Sequence, residues 1–318
     1  MWFWFAIIAF VCWSGSDIFS KIGCADSRDK YSHYKMVTAV GVIMGLHAAY
    51  EIFIAGVEIN AKVILTYLPV SALYILSMAI GYIGLRYIEL SISSPICNTS
   101  GAIVAVLCII TGSTLEIPQY IAVALVCIGV ILLGFVEARE DETLRARRQE
   151  KGNYKYAKSA LALILPLVYC LLDALGTFAD SLVLYDEEEP AATTFRLLFW
   201  HGDKLGEDSA NVAYELTFLL CGIAAFIYVK LIKKQKFLPK MEAPKYTGAV
   251  FETIGQFFYI SALADSKHVA MAAPIISSYC LLSALWGRIF LKEKLSWKHY
   301  ASIAIAFVGI VILGIYDP

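Results

Sequence analysis

Charged residues are scarce in this sequence. Asp, Glu, Lys and Arg make up 17% of the 318 residues, while 59% are hydrophobic. Soluble domains carry about 25% charged residues, so a soluble globular class does not fit this composition. The net charge is −1, which provides no basic field that would attract a nucleic acid. We therefore expect no nucleic-acid partner.

Sequence patterns of several common site types are also missing. None of the eight cysteines belongs to a C-x-x-C pair, so neither a disulfide framework nor a zinc site is indicated. No P-loop, H-E-x-x-H or G-x-S-x-G pattern occurs, which argues against an ATP-driven pump or a motif-bearing enzyme. We expect no catalytic residue, no cofactor and no metal. The N-terminus lacks the basic region of a signal peptide, so we interpret the first apolar run as a permanent span.

Long hydrophobic runs dominate the rest of the chain. A helix of about 20 apolar residues crosses the ~30 Å hydrocarbon layer of a membrane. A membrane β-barrel would show alternating polarity instead, and these runs do not alternate. The sequence therefore predicts an all-α polytopic membrane protein with ten transmembrane helices. The predicted spans are 2–22, 34–55, 63–85, 91–111, 118–137, 157–182, 210–231, 244–263, 269–290 and 298–316.

Two hydrophilic segments interrupt these runs. The first is rich in Arg and Lys and divides the chain five spans from five, so we interpret 138–156 as a charged cytoplasmic linker. It separates a first five-helix repeat over 1–137 from a second over 157–318. The other segment, 185–209, contains the acidic run Asp186 to Glu189 ahead of Pro190. Its apolar patch is too short to span a membrane and is predicted as an interfacial helix.

The two halves resemble each other in sequence. At an offset of 180, Ala124, Gly129 and Gly134 fall on Ala304, Gly309 and Gly314, and Tyr120 falls on Tyr300. Pro95 matches Pro274 with one residue of slippage, and we interpret both as helix-start prolines. In the first spans of the halves, Asp17 matches Asp173. Such internal repeats are how many transporters are built.

The distribution of positive charge predicts that the second half is inverted. The loops that follow odd-numbered spans hold about 22 Lys and Arg, and those that follow even-numbered spans hold about 4. Positively charged loops face the cytoplasm, so both termini are predicted outside. An odd number of spans per half turns the second copy upside down, and corresponding loops have the opposite charge bias accordingly.

Four short motifs occur in order along the chain. They are Trp13-Ser14-Gly15-Ser16 with Lys21, the prolines Pro95 and Pro274, Leu291-Lys292-Glu293-Lys294-Leu295, and Gly309 to Gly314. In that order they resemble the W-G-S-N…K opening, the helix-start prolines, the G-E-R-L turn and the closing G-V-x-L-x-G of the drug/metabolite transporter superfamily, in its EamA-like branch. Ser14, Asp17 and Ser113 depart from the family pattern. The resemblance implies a ten-helix alternating-access transporter without specifying its substrate. Some relatives are described with cytoplasmic termini, against the orientation predicted here.

Ionisable residues within the spans are the first site candidates. A charge at mid-helix depth costs about 2.5–3.5 kcal/mol, so it usually faces a cavity or a partner. The five such residues sum to a formal charge of −3 and are Asp17, Lys21, Asp173, Asp180 and Glu252. Asp17 and Lys21, four residues apart, either form an internal ion pair or place an acid in the cavity beside a gating lysine. Asp173 and Asp180 share a helix face, as a polar packing seam or as a proton-exchanging pair; Lys21, Asp173 and Asp180 are the predicted coupling or gating residues.

The predicted substrate-binding residues combine these acids with polar and aromatic neighbours. They are Trp13, Asp17, Tyr74, Tyr82, Asn98, Tyr169, Asp173, Glu252, Gln256 and Ser277. Trp13 could provide a cation–π wall or fill the core. Tyr, Asn and Ser also commonly join helices in membranes. Glu252 could be hydrated at the end of its span.

Three function classes follow from this pattern. The excess of acid favours a secondary transporter of a small cationic or zwitterionic metabolite or drug in the plasma membrane, exported in exchange for protons. An anion exchanger for sugar phosphates or nucleotide sugars would need several cavity Lys or Arg. A sensor or an intramembrane enzyme that pairs Asp173 with Asp180 or Asp17 is the alternative of another class. The expected partners are a small-molecule substrate, protons and the lipid bilayer, with the protein a monomer or a homodimer.

Overall fold

The computed structural model describes residues 1–25, 29–87, 90–139, 161–185, 194–197, 200–290 and 295–316. Helices account for nearly all of them. Their bounds are α1 Trp2–Ala25, α2 Ser32–Tyr50 with a π-helical turn Glu51–Ala55, α3 Ala61–Tyr87, α4 Leu90–Cys97, α5 Ser100–Ile110, α6 Ile117–Ala138, α7 Leu161–Val183, α8 Glu207–Ile227 with a π-helical turn Tyr228–Ile232, α9 Pro239–Ala264, α10 Val269–Ser277, α11 Tyr279–Phe290 and α12 Trp297–Tyr316.

The predicted all-α, polytopic architecture is confirmed. Each of the ten predicted spans corresponds to one helix or to a pair of consecutive helices. Within the described residues, nine spans are long and apolar enough to cross a membrane. The remaining helix, α9, has 26 residues but is less apolar, because it contains Glu242, Lys245 and Glu252. Glu242 and Lys245 are nevertheless buried, and α1 is the helix that α9 contacts most.

Two spans are broken at equivalent places. Pro95 is the sixth residue of α4 and Pro274 the sixth of α10, so the prediction that they start helices is wrong. Each short helix ends two or three residues later, and a hydroxyl group then satisfies a backbone carbonyl of the last turn. Thr99 Oγ1 donates to the Ile96 carbonyl at 2.7 Å, and Ser278 Oγ donates to the Ile275 carbonyl at 2.6 Å. In a membrane, such side-chain bonds replace the water that would hydrate a helix end.

The closing helices of the two halves pack through a reciprocal glycine contact. A Cβ at Gly129 of α6 would lie 2.8 Å from the Ser302 carbonyl of α12, and a Cβ at Gly309 of α12 would lie 2.6 Å from the Ala122 carbonyl of α6. Ser302 is 180 residues after Ala122, as Gly309 is after Gly129. The contacts also run in opposite chain directions along the two helices. A twofold relation produces this exchange of roles.

Helices α2 and α8 repeat the arrangement at another pair of glycines. A Cβ at Gly41 would lie 2.9 Å from the Phe218 carbonyl, and a Cβ at Gly222 would lie 3.3 Å from the Val37 carbonyl. The α1–α9 contact has its counterpart in the α7–α3 contact, which joins the first span of one half to the third span of the other. These reciprocal, antiparallel contacts support the predicted inverted repeat, which stays a prediction.

The second hydrophilic segment contains a β-hairpin, so the prediction of an interfacial helix there is wrong. Strand β1, Thr194–Leu197, pairs antiparallel with β2, Trp200–Asp203. Phe195 is buried and packs edge-on against Trp200, whose indole N–H donates to the Thr66 carbonyl of α3 at 3.1 Å. Alternating exposure of side chains, typical of strands, keeps the polar residues in solvent and docks one face on α3.

Several predictions concern residues outside the described part of the chain. They include most of the linker 138–156, the acidic run at 186–189, the start of the sixth span at 157–160, and most of the turn at 291–295. The predicted position of the termini relative to the membrane stays a prediction as well.

Candidate functional site

A cavity between the two halves collects most of the predicted binding residues. The empty space in it, open part included, measures about 710 Å³. Of the predicted residues, those that line it are Trp13, Asp17, Tyr74, Tyr82, Tyr169, Asp173, Glu252 and Gln256. They come from α1, α3, α7 and α9, the helices that make the reciprocal cross-half contacts. The cavity therefore lies where the two halves meet.

Three carboxyl groups face this cavity from three helices. Asp17 of α1 accepts a hydrogen bond from Ser94 Oγ of α4 at 2.7 Å. Glu252 of α9 accepts one from Ser16 Oγ of α1 at 2.7 Å. Asp173 of α7 completes the set. Glu252 is the fourteenth of the 26 residues of α9, so the alternative that it is hydrated at a helix end is excluded.

Basic side chains do not balance these acids at the cavity surface. No Lys, Arg or His is among the described residues that line it. Lys21, one turn beyond Asp17 on α1, lies outside the lining and donates from Nζ to the Leu85 carbonyl of α3 at 2.9 Å. The cavity is therefore an acidic compartment with a lysine close to one edge.

One side of the cavity is an aromatic wall built around Trp13. Its ring lies 4.8 Å from the Tyr259 ring and 5.9 Å from the Tyr279 ring, measured between centroids. Gly255 of α9 permits this position, because a Cβ there would meet the indole nitrogen at 2.7 Å. The ring therefore packs directly on the backbone of α9, beside Gln256.

Four hydrogen-bond donors at the cavity have no partner in the described part of the chain. They are the indole nitrogen of Trp13, the hydroxyls of Ser20 and Tyr82, and the amide nitrogen of Gln256. All four residues line the cavity, and Tyr82 and Gln256 are only 5% and 3% exposed. Because an unpaired buried donor costs about 1–3 kcal/mol, such groups usually serve a ligand or ordered water.

Asp180 lies beneath the cavity and does not line it. Its carboxyl group is completely buried and receives a hydrogen bond from Tyr67 at 2.7 Å. Its other oxygen lies 3.4 Å from the hydroxyl of Tyr74, which does line the cavity. Asp173 and Asp180 therefore occupy two separate positions on α7. Asp173 lines the cavity, and Asp180 lies behind Tyr74.

Asn98 and Ser277 lie away from the cavity, so the structure does not support their predicted substrate contact. Asn98 donates to Ser94 Oγ at 3.2 Å within the break between α4 and α5. The side chain of Ser277 packs on the α5 backbone, at 2.7 Å from the position of a Cβ on Gly101. Both belong to the contact between the broken spans, where small polar residues join helices.

The cavity also contains residues that the sequence interpretation missed. They include Ser16, Ser20, Met78, Ser93, Ser94, Cys97 and Tyr214. Ser16 could have been found, because it is part of the opening motif and immediately precedes Asp17. Ser94 precedes Pro95 and could have been found in the same way. Tyr214 carries no local signal, because its place at the cavity depends on how α8 packs against α3.

Comparisons with known proteins agree with this architecture. Residues 208–315 match the model of the EamA-like transporter family. A solved structure titled "Crystal structure of protein" superposes with a TM-score of 0.62 at 9% identity, over 99% of this chain and 96% of that chain. At that identity the likeness shows the fold alone. No curated protein matches the chain. The family resemblance expected from the sequence motifs is confirmed.

Proposed function

We propose that this chain, whose residues 208–315 match the EamA-like transporter family and whose apolar helices are long enough to cross a membrane, is a secondary-active transporter of a small zwitterionic or cationic metabolite, coupled to protons. The observation that carries the proposal is the cavity itself. Three carboxyl groups face it, and no base is among its described lining residues.

The acids favour a positively charged substrate group for a physical reason. A carboxylate held away from water is costly unless a counter-charge or a proton accompanies it. A substrate ammonium and a proton can each play that part, and they compete for the same oxygens. Such competition couples substrate release to proton uptake. Asp17 and Asp173, at matching positions of the two halves, are the proposed sites of exchange.

The unpartnered donors narrow the substrate class. Trp13, Tyr82 and Gln256 offer N–H and O–H groups, which need acceptor oxygens. A molecule with both an ammonium group and a carboxylate or carbonyl would satisfy the acids and these donors together. A simple amine would leave the donors unpaired, which weakens binding. The cavity therefore favours an amino-acid-like zwitterion over a plain amine.

Alternating access is the proposed transport mechanism. The cavity lies between halves whose contacts are reciprocal, so rocking one half against the other would open it to either side in turn. The positive-charge bias of the loops favours termini on the outside. Export across the plasma membrane is the proposed direction and location.

The competing functions fit the cavity less well. Phosphorylated substrates are usually bound by several Arg or Lys side chains, and neither Arg nor Lys is among the described residues that line the cavity. An intramembrane acid-pair enzyme would need two carboxyl groups on one substrate atom. Asp180 is separated from the cavity by Tyr74, and a sensor role has no specific observation in its favour.

Uptake into proteoliposomes tests the proposal. A thermal-shift screen over amino acids, amines and sugar phosphates first identifies a ligand, for which we expect an amino-acid-like zwitterion. Asp17→Asn and Asp173→Asn should then each reduce uptake and flatten its pH dependence. Asp203→Asn is the matched control, because Asp203 lies exposed on the surface hairpin, where it pairs with Lys62 of α3. Unchanged transport and pH dependence in both cavity variants contradict the mechanism, and stabilisation by sugar phosphates alone favours the anion exchanger.

A further inference from the structure

Asp180 is a buried acid of the bundle that does not line the cavity. It is fully buried on α7 and meets two phenols of α3, with Tyr67 at 2.7 Å and Tyr74 at 3.4 Å. Within the described part of the chain, no Lys, Arg or His forms an ion pair with it. An ionised carboxylate without a counter-charge is very costly at such a place.

A chain of hydroxyl groups runs from this acid through α3 and α9 and back to α7. The Tyr74 hydroxyl lies 2.5 Å from the Tyr259 hydroxyl of α9. Tyr259 contacts Thr177 Oγ1 of α7 at 2.6 Å, and Thr177 reaches the Asp173 carbonyl at 2.9 Å. A Cβ at Gly176 would come within 2.9 Å of the Tyr74 ring. The glycine therefore lets Tyr74 lie against α7, in reach of Asp180.

Counting hydrogens shows that Asp180 must carry a proton if every contact of this chain is a hydrogen bond, including the longest one, at 3.4 Å between Tyr74 and Asp180. After Tyr67 has donated to Asp180, four contacts remain along the chain from Asp180 to the Asp173 carbonyl. Tyr74, Tyr259 and Thr177 each carry a single hydroxyl hydrogen. With an ionised Asp180, three hydrogens serve four contacts, and one contact joins two acceptors. A proton on Asp180 supplies the missing hydrogen.

We propose that Asp180 is an occluded proton-binding site, occupied in this conformation and connected to the substrate cavity through Tyr74. The proposal deepens the proposed proton-coupled transport and rests on it. It adds a second stage to that exchange: the cavity acids exchange the substrate for a proton, and Asp180 then stores this coupling proton behind Tyr74. Tyr74 belongs to both places, since it lines the cavity and contacts the acid.

The transfer is balanced in protons. When Asp180 is ionised, Thr177 donates to Tyr259, Tyr259 to Tyr74, and Tyr74 to the carboxylate. A proton that arrives at the Tyr74 oxygen from the cavity lets Tyr74 pass its own hydrogen to Asp180. The chain then reverses: Asp180 donates to Tyr74, Tyr74 to Tyr259, Tyr259 to Thr177, and Thr177 to the carbonyl. One proton leaves the cavity and one carboxylate becomes neutral.

Among the ionisable groups around Asp180, only Asp180 itself is expected to gain or lose a proton in the working pH range. Facing it are Tyr67 and Tyr74 from α3, with Tyr259 of α9 and Tyr214 of α8 behind Tyr74. These phenols ordinarily ionise near pH ~10, above the working range. Asp173 is two turns earlier on the same helix, on the cavity side of the tyrosines.

Infrared spectroscopy and coupled transport together test the proposal. Asp180→Asn keeps the size of the side chain and imitates its neutral form. We expect it to retain substrate exchange between equal compartments in proteoliposomes while it loses at least tenfold in accumulation driven by a proton gradient. Its infrared spectrum at neutral pH should lack one carbonyl band of a neutral carboxylic acid that the unmodified protein shows.

The possible results separate the two proposals. Gradient-driven accumulation by Asp180→Asn equal to that of the unmodified protein overturns the inference and leaves the proposed function standing. An unmodified protein that cannot be driven by any proton gradient overturns proton coupling, and the inference with it. If Asp180→Asn does not fold, Tyr259→Phe decides. It keeps the acid but interrupts the chain, so the neutral-acid band should shift in frequency. An unshifted band, or no neutral-acid band, overturns the inference.

Discussion

The glycine contact between α6 and α12 allows a sharp test of the packing that relates the two halves. A Cβ added at Gly129 would lie 2.6 Å from the Ala306 Cβ, 2.8 Å from the Ser302 carbonyl and 2.9 Å from the Ala306 nitrogen. Two of these three neighbours are backbone atoms, which cannot rotate away. For ordinary contact at 3.4 Å, the helices must separate by about 0.8 Å.

This separation has a predictable energetic cost. A radial gap of about 0.5–1 Å forfeits a quarter to a half of the dispersion energy of the contacts it opens. Overpacking of this kind typically costs about 1–3 kcal/mol. Against it stands the better helix propensity of alanine, worth about 1 kcal/mol over glycine. We therefore expect Gly129→Ala to destabilise the protein by about 0–2 kcal/mol after both effects.

The same helix offers a matched control. A Cβ at Gly134 of α6 would meet its nearest neighbour, Pro95 Cβ, at an ordinary 3.5 Å. Gly134→Ala should therefore be neutral or stabilising by up to about 1 kcal/mol. In thermal unfolding of the purified protein in detergent, we expect the highest apparent melting temperature for Gly134→Ala, a lower one for the unmodified protein, and the lowest for Gly129→Ala.

The reciprocal glycine of α12, Gly309, provides a second test in the same assay. A Cβ at Gly309 would meet the Ala122 carbonyl at 2.6 Å, so Gly309→Ala should lower the melting temperature about as much as Gly129→Ala. The double variant should lose less than the sum of the single losses, because helices that have already separated accommodate the second methyl group. Gly129→Ala as stable as Gly134→Ala would refute the close packing, and strict additivity would refute the shared interface.

Three further predictions concern the cavity, a buried ion cluster and the hairpin. Gly255→Ala should push Trp13 off the α9 backbone and weaken ligand binding about tenfold, or ~1.4 kcal/mol, in a titration calorimetry experiment; unchanged affinity would contradict a contact between Trp13 and the ligand. Lys35 lies 2.9 Å from Asp29 and 3.0 Å from Glu242 in a buried cluster that also contains Lys245. Lys35→Met should cost about 3–5 kcal/mol in thermal unfolding, because it leaves two carboxylates of the cluster with one lysine. Adding Glu242→Gln should recover part of that loss, and no recovery would exclude an uncompensated charge as its cause. Trp200→Phe removes one hydrogen bond, worth about 1 kcal/mol, and should speed proteolysis of the hairpin without lowering the melting temperature of the helical bundle.

The helical fold was predictable because each span carries its own signal. A run of about twenty apolar residues predicts a helix in a membrane whatever its neighbours are, and the spans correspond to helices in the structure. The broken spans were predicted less well. Pro95 and Pro274 were assigned to helix starts, whereas the chain places them near the ends of short helices. The break depends on Thr99 and Ser278, whose hydroxyl groups donate hydrogen bonds to backbone carbonyls three residues earlier. A hydropathy pattern does not show such hydrogen bonds.

The cavity was predictable in its acids and less so in its other walls. Asp17, Asp173 and Glu252 stand out in the sequence, because a charge in an apolar run needs a reason. Asn98 and Ser277 had the right residue types for a binding site, but they lie in the contact between broken helices. Tyrosine and serine are as common in helix packing as in ligand binding, and their spacing along one helix does not distinguish the two.

Local chemistry alone determined that this chain forms a helical membrane bundle and that acids lie within its spans. These are properties of single segments, since burial in lipid acts on each helix separately. The tertiary structure decided which polar groups share a space. Three acids face one cavity, Asp180 lies behind Tyr74, and the polar residues Asn98 and Ser277 of the two broken spans pack helices together instead of lining the cavity. Those facts depend on the rotation and approach of helices distant in sequence, which are set by side-chain packing between them and by glycines at their contacts.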